Sequence, residues 1–279
     1  MVPAQAGRDA VRGDRRAARD WLELRSRADT AARDRGAGRL PQQVAERSWS
    51  AGGRRLVLVD LGAGTGANRR YLGPRLPVRQ RWVAVDRDPD HLRPEDHHGA
   101  QLVRAEVADL DDLLESLPLE TEDRLVLTCS ALLDVLTEGE LLAVAEAVVR
   151  HRAAALLSLS VTGAVVWTPA HHHDGLVREA FDDHQRQGSR PGPLAPARLA
   201  ALLRARGREV LEVRTDWVLA AGECELVGAF LDERVEAAVV QRPQLSAELR
   251  AWHDVRREQL RSGELEVVVG HVDLWAPAD

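Results

Sequence analysis

Hydrophobic positions along the chain alternate between two rhythms. Short apolar runs at Leu56–Leu61, Trp82–Val85, Gln101–Val107, Arg124–Thr128 and Ala153–Val161 are bounded by polar turns, as buried strands are. Between them, Thr65–Leu76 and Leu132–Val149 carry apolar residues at helical spacing. Strands alternating with helices predict βαβ units and a parallel sheet. Further on, Ala195–Arg206 reads as a helix closed by Gly207, and Glu209–Arg214 as a sixth strand. Cys224–Val240 and Leu245–Arg261 read as two more helices, and Leu265–Val269 with Val272–Trp275 as the last strand.

Two stretches depart from this rhythm. Before it, Trp21, Leu22, Leu24, Ala28, Ala31 and Ala32 recur at helical spacing until Gly36, Gly38 and Pro41 break the pattern. A second short helix is expected over Gln42–Trp49. Within it, residues 162–195 hold Gly163, Pro169, three consecutive histidines, Gly188, Pro191, Gly192 and Pro193. That segment is expected to be irregular around one helix, Asp174–Gln187.

Composition narrows the functional classes. With 279 residues, 44 % of them apolar, the chain can bury a full core without disulfides or metals. Its two cysteines, Cys129 and Cys224, lack any metal or disulfide spacing. No apolar run reaches the ~18 residues of a membrane span and no apolar leader stands at the N-terminus, so a cytoplasmic protein without membrane partners is expected. The 38 basic residues are all arginine, which removes lysine-based chemistry such as Schiff bases or a P-loop. A net charge of −6 argues against a nucleic-acid partner, and the arginines of residues 8–35 are interleaved with acids as on a solvated helix face.

The strongest chemical signal is Asp60-Leu61-Gly62-Ala63-Gly64-Thr65-Gly66, placed between an apolar run and a helix. Glycines there permit a tight turn and close approach of a ligand to the backbone, and the following helix start offers free N–H groups. Twenty residues after Gly66 the second run ends in Asp86, an acid placed to take ribose hydroxyls.

This arrangement resembles the class I S-adenosylmethionine-dependent methyltransferases, of a bacterial small-molecule type. Asp60, Gly62, Gly64 and Gly66 match the family's first motif, and Val83-Ala84-Val85-Asp86 its second. Ala105-Glu106-Val107 stands where the adenine-facing motif belongs, with Glu106 in place of the usual aspartate and Asp109 as an alternative contact. Thr128 to Asp134 corresponds to the fourth motif. The resemblance implies an α/β fold with a doubly wound, mostly parallel seven-stranded sheet, its last strand antiparallel. Residues 51–279 would form it, under an N-terminal helical lid of residues 1–50. It implies S-adenosylmethionine as cofactor, held by Asp60, Gly62, Ala63, Gly64, Gly66, Asp86, Arg87, Glu106, Val107 and Ser130. A nicotinamide oxidoreductase is the rival reading, since Gly62-x-Gly64-x-x-Ala67 also fits a loose dinucleotide pattern, but Asp60 would repel a pyrophosphate. A non-catalytic cofactor-binding protein is the other alternative.

The acceptor side is less determined. Thr128-Cys129-Ser130-Ala131 lacks the proline and aromatic clamp of the amino-methyltransferases, which leaves a small-molecule O, N or C nucleophile. His184 and Asp134 are the candidate bases. Arg25, Asp134, His171, His184 and Gln185 are the candidate substrate contacts, Arg25 serving either the cofactor carboxylate or an acidic substrate. Three adjacent histidines rarely point to one centre, and methyl displacement needs no metal, so none is expected. The expected assembly is a monomer or homodimer.

Overall fold

The apolar runs become strands where both faces of the backbone meet hydrophobic neighbours. In β1 (Arg55–Leu61) every residue after the first is buried. Its pleat sends Val57, Val59 and Leu61 into one core and Leu56 and Leu58 into another on the opposite face. Each such side chain contributes about 1.5–3 kcal/mol on burial. The computed structural model describes residues 21–50, 52 and 54–278. The part of the expected lid in residues 1–20 lies outside them.

The remaining strands are β2 (Arg79–Asp86), β3 (Gln101–Arg104), β4 (Asp123–Ser130), β5 (Ala154–Thr168), β6 (Leu211–Arg214), β7 (Trp217–Leu219) and β8 (Glu266–Ala276). They form one eight-stranded sheet in the order β3-β2-β1-β4-β5-β8-β6, with β7 also paired to β8. Strands β1 to β5 are parallel, and β8 runs antiparallel to β5, β6 and β7. Strand order reverses between β1 and β4, which makes the ends of those strands the switch point where ligands bind in such sheets.

Residues 21–36 form helix α1, followed by α2 (Leu40–Ser50) and α3 (Ala67–Leu72). Then come α4 (Leu110–Ser116), α5 (Glu138–Arg150), α6 (Asp174–Gln185), α7 (Ala195–Ala205), α8 (Cys224–Gln241) and α9 (Ser246–Ser262). Helices α4, α5 and α7 cover one face of the sheet; α2 and α3 cover the other. A third core joins α1, α6, α8 and α9 to the upper parts of β5 and β8, with Trp167 packed edge-on against the fully buried Trp252 at 5.2 Å. Among the described residues no helix is long and apolar enough to cross a membrane.

Four expectations are corrected here. The sheet has eight strands, not seven, because Trp217–Leu219 pairs with Val267–Val269. Residues 162–168 are strand rather than loop. The strand persists past Gly163 because Val165–Thr168 pairs with Glu266–Val269 of β8, which is itself one continuous strand. The helix expected from Leu132 begins only at Glu138. Ala131 adopts a φ of 54°, and Leu133–Val135 forms a single 3-10 turn. The helix starts at a reciprocal cap: Thr137 Oγ1 accepts from the Glu140 amide at 3.2 Å, and Glu140 Oε2 accepts from the Thr137 amide at 2.8 Å. Helix α3 is likewise shorter than Thr65–Leu76.

Candidate functional site

The glycine loop is built by conformation and by space. Gly62, Gly64 and Gly66 have φ values of 59°, 54° and 75°, in the left-handed region that side chains disfavour. A Cβ on Gly66 would lie 2.6 Å from the Asp96 carbonyl oxygen, and one on Gly62 2.7 Å from Leu132 Cδ1. His97, almost wholly buried, ties the loop to the next one through Nε2, which lies 3.1 Å from the Gly64 carbonyl and 3.0 Å from that of His91.

At the end of β2, Asp86 faces this loop. Its Oδ2 accepts from the Gly64 amide and its Oδ1 from the Asp88 amide, each at 2.9 Å, with His91 Nδ1 3.4 Å from Oδ2. Burial pushes the Asp86 carboxyl up, but the His91 contact and the two amides outweigh it and hold it below its ordinary value. Asp86 in turn raises His91.

Behind the loop lies a buried polar chain. Asp60 is 2 % exposed, and its Oδ1 accepts from Asn68 Nδ2 at 2.7 Å. The same Asn68 nitrogen reaches Thr128 Oγ1 at 3.0 Å, while Asn68 Oδ1 accepts from Arg33 Nη1 at 3.0 Å. Arg33 comes from α1; its Nη2 donates to Ser158 Oγ at 3.2 Å and its Nε lies 3.9 Å from Asp273 Oδ2. Burial pushes the Asp60 carboxyl up to about 7, against the pull of Asn68 and Arg33.

Helix α1 crosses above. Arg25 pairs with Asp29 at 3.0 Å, lies 5.1 Å from the Trp217 ring centre, and Trp217 Nε1 donates to Asp29 Oδ1 at 2.9 Å. Between α1 and the strand ends a cleft encloses about 220 Å³. Its floor is the glycine loop and its sides are Asp86, Arg87, Glu106, Val107 and Ser130, with Leu22, Arg25 and Asp29 above.

Most of the expected cofactor residues thus share one cleft: Gly62, Ala63, Gly64, Asp86, Arg87, Glu106, Val107 and Ser130, joined by Arg25. Asp60 and Gly66 stand behind it as supports, not on its walls. Asp109, the alternative to Glu106, is not on the walls either. On the acceptor side, Asp134 is half-buried on the turn after β4, and Gln185 of α6 donates to its Oδ2 at 3.3 Å. Burial raises the Asp134 carboxyl. Neither residue lines the cleft. His184 also stands off it, with Nδ1 buried and unpartnered. His171 follows the end of β5. The strand passes the cleft at Ser158, the register partner of Ser130, and runs on to Thr168 before His171 is reached. His171 is not among the residues that line the cleft. His171, His172 and His173 nevertheless bring one ring nitrogen each within 4.8 Å of one another, contrary to the divergence expected of adjacent side chains.

Sequence reasoning missed Arg33, Asn68, His91 and His97. Each is a single polar residue with no motif of its own, and Arg33, Asn68 and His97 also bond partners more than 30 residues away. His91, five residues past Asp86, was the only one with a positional cue.

A parallel sheet carrying a glycine loop and an acidic strand end at its switch point is a Rossmann-like nucleotide-cofactor fold. The chain matches no protein-family model, and no curated protein resembles it in sequence. Among solved structures it is similar to a protein named as a sarcosine dimethylglycine methyltransferase from Galdieria sulphuraria, at 14 % identity and a TM-score of 0.41, over 86 % of each chain. It is similar to phosphoethanolamine N-methyltransferase 2 of Haemonchus contortus in complex with S-adenosyl-L-methionine, at 9 % identity and a TM-score of 0.43. That match covers 86 % of this chain but only 52 % of the other. A third is a cyclopropane-fatty-acyl-phospholipid synthase-like protein from Lactobacillus casei, at 15 % identity and a TM-score of 0.41, over 88 % of this chain and 91 % of that one. These likenesses are too distant to assign an activity, which has to come from the site itself.

Proposed function

We propose that this protein is an S-adenosylmethionine-dependent methyltransferase whose acceptor is a small molecule. The observation that carries the reading is a pair of carboxylates on either side of one glycine loop: Asp60 beneath it and Asp86 at its rim. Asp86 at the strand end can serve a ribose of either kind of cofactor, but a pyrophosphate laid along the loop would meet the Asp60 carboxylate beneath it, whereas a cofactor with a cationic amino-acid end would meet a partner there. That disfavours the dinucleotide alternative.

The residues fit such a cofactor in their donor chemistry. Asp86 is already held ionised by two amides and has lone pairs left for ribose hydroxyls. Glu106 and Val107 flank the adenine end, and Gly62, Ala63, Gly64, Arg87 and Ser130 complete the walls. Asp60 acts on the amino end from below the loop, and Gly66 keeps the turn closed. When bound, S-adenosylmethionine supplies a methyl group already activated by its sulfonium.

The protein's task is then alignment and exclusion of water. Leu22 and Arg25 of α1 close the cleft from above, and Arg25 offers a cationic contact to a carboxylate. On the acceptor side, Asp134 is the candidate base nearest the cleft walls, next to Val135, which lines them. Its burial makes it the readier proton acceptor, and Gln185 orients it. His184 and His171 do not line the cleft and are assigned no step.

The test is transfer of a labelled methyl group from S-adenosylmethionine to fractionated cell extract. Label entering the low-mass fraction, and lost in Asp86→Ala, supports the proposal. Label entering only protein or nucleic acid would overturn the small-molecule part of it.

A further inference from the structure

The buried chain beneath the glycine loop has a direction. An arginine has only donors. Arg33 donates to Asn68 Oδ1 at 3.0 Å, so the amide of Asn68 must turn its nitrogen the other way, toward Asp60 Oδ1 at 2.7 Å and Thr128 Oγ1 at 3.0 Å. Thr128 spends its own proton on the Leu156 carbonyl at 2.9 Å, which leaves its oxygen to accept. Each of these groups is at most 4 % exposed, so water does not scramble the orientation. The charge of Arg33 is in turn balanced by Asp273, whose Oδ1 accepts from the Leu159 amide and Thr215 Oγ1, each at 2.8 Å.

We infer that Asn68 and Arg33 are positioning residues that favour the charged form of the Asp60 carboxylate beneath the glycine loop, so that lid helix α1 supports cofactor binding from inside the fold as well as from above. The inference rests on the cofactor reading given above. Without a fixed donor, a carboxylate buried to this degree is costly in its charged form. The groups facing Asp60 are Arg33 from α1, Arg69 from α3, Asp86 from β2 and Cys129 from β4. The two arginines favour the ionised form and Asp86 opposes it, while burial is the largest influence and favours the neutral form. Asn68 and Arg33 therefore offset part of the effect of burial and hold the carboxyl at about 7, where a substantial ionised fraction persists at neutral pH. Only an ionised Asp60 attracts a cofactor's ammonium.

The experiment compares two ligands that share adenine, ribose and sulfur: S-adenosylhomocysteine, which carries the amino-acid end, and 5′-methylthioadenosine, which lacks it. Both are titrated calorimetrically between about pH 5.5 and 7.5, below the ordinary range of an α-amino group. Wild-type affinity for S-adenosylhomocysteine should fall as pH drops through about 7, and fall more steeply than that for methylthioadenosine, which shares only the effect of His91 beside Asp86. In Arg33→Met, S-adenosylhomocysteine should weaken about tenfold at neutral pH and its fall should move to higher pH. Arg33→Lys should recover most of the loss, and methylthioadenosine should be unaffected throughout. Asn68→Ala gives the same reading should Arg33→Met fail to fold. Equal weakening of both ligands at every pH would overturn the inference and leave Arg33 a purely structural residue. Failure of the wild type to bind either ligand would overturn the cofactor reading itself.

Discussion

Replacing Asp86 with alanine separates what this carboxylate does for the fold from what it does for the ligand. In the folded protein it accepts from two backbone amides at 2.9 Å, those of Gly64 and Asp88, and stands 3.4 Å from His91. The amides border an open cleft, so water can replace the lost acceptor in part. Hydrogen bonds to a charged group contribute about 1.5–3 kcal/mol each when fully buried, and a net loss of roughly 2 kcal/mol of stability is expected. The ligand's loss is separate. A ribose hydroxyl pair deprived of its charged acceptor forfeits about 1.5–3 kcal/mol, a ten- to hundredfold weaker dissociation constant. Denaturant unfolding reads the first quantity, and calorimetric titration with S-adenosylhomocysteine, at a temperature where the variant is folded, reads the second. A dissociation constant within about twofold of wild type would refute the assignment of Asp86 as the ribose partner.

Other substitutions probe the supports. Gly66→Ala should destabilise the loop and abolish tight cofactor binding, because it combines a φ of 75° with a Cβ 2.6 Å from a backbone oxygen; an unaltered melting temperature would contradict this. Asp174→Ala removes the partner of Trp252 Nε1, at 2.8 Å, and of the fully buried Arg256 guanidinium. Stranding a buried charge typically costs about 3–5 kcal/mol, readable by denaturant unfolding; a change below about 1 kcal/mol would show that Arg256 finds another partner. The His91–Asp86 contact predicts a pH trend. His91 is raised in the folded state, so its contribution is fully present below its unfolded value, about 6.5, and fades as pH rises through the higher folded value. His91→Ala should flatten that part of the stability-against-pH curve, and an unchanged curve would remove His91 from the account.

What the sequence made legible were features that depend on local chemistry. Gly62, Gly64 and Gly66 could be recognised because left-handed backbone selects glycine, and Asp86 because it ends an apolar run at a fixed distance. What stayed hidden depends on partners far along the chain. Thr162-Gly163-Ala164 has no strand signature of its own and becomes strand only beside β8. Arg33 is one arginine among many on an arginine-rich helix, and nothing in its neighbourhood marks it as the buried donor to Asn68. Ala131 carries no sign of its left-handed backbone, so the helix expected from Leu132 started too early. His184 and His171 attracted attention as titratable residues in an irregular segment, but neither lines the cleft, which α6 approaches only through Gln185 and its partner Asp134.

The most direct test of the central claim is a calorimetric titration of the wild-type protein with S-adenosylhomocysteine and, separately, with NAD and NADP. The Asp60 carboxylate beneath the glycine loop, with Asp86 left to a ribose, predicts saturable binding of S-adenosylhomocysteine in the micromolar range and none of either dinucleotide. Saturable dinucleotide binding without S-adenosylhomocysteine binding would contradict the account.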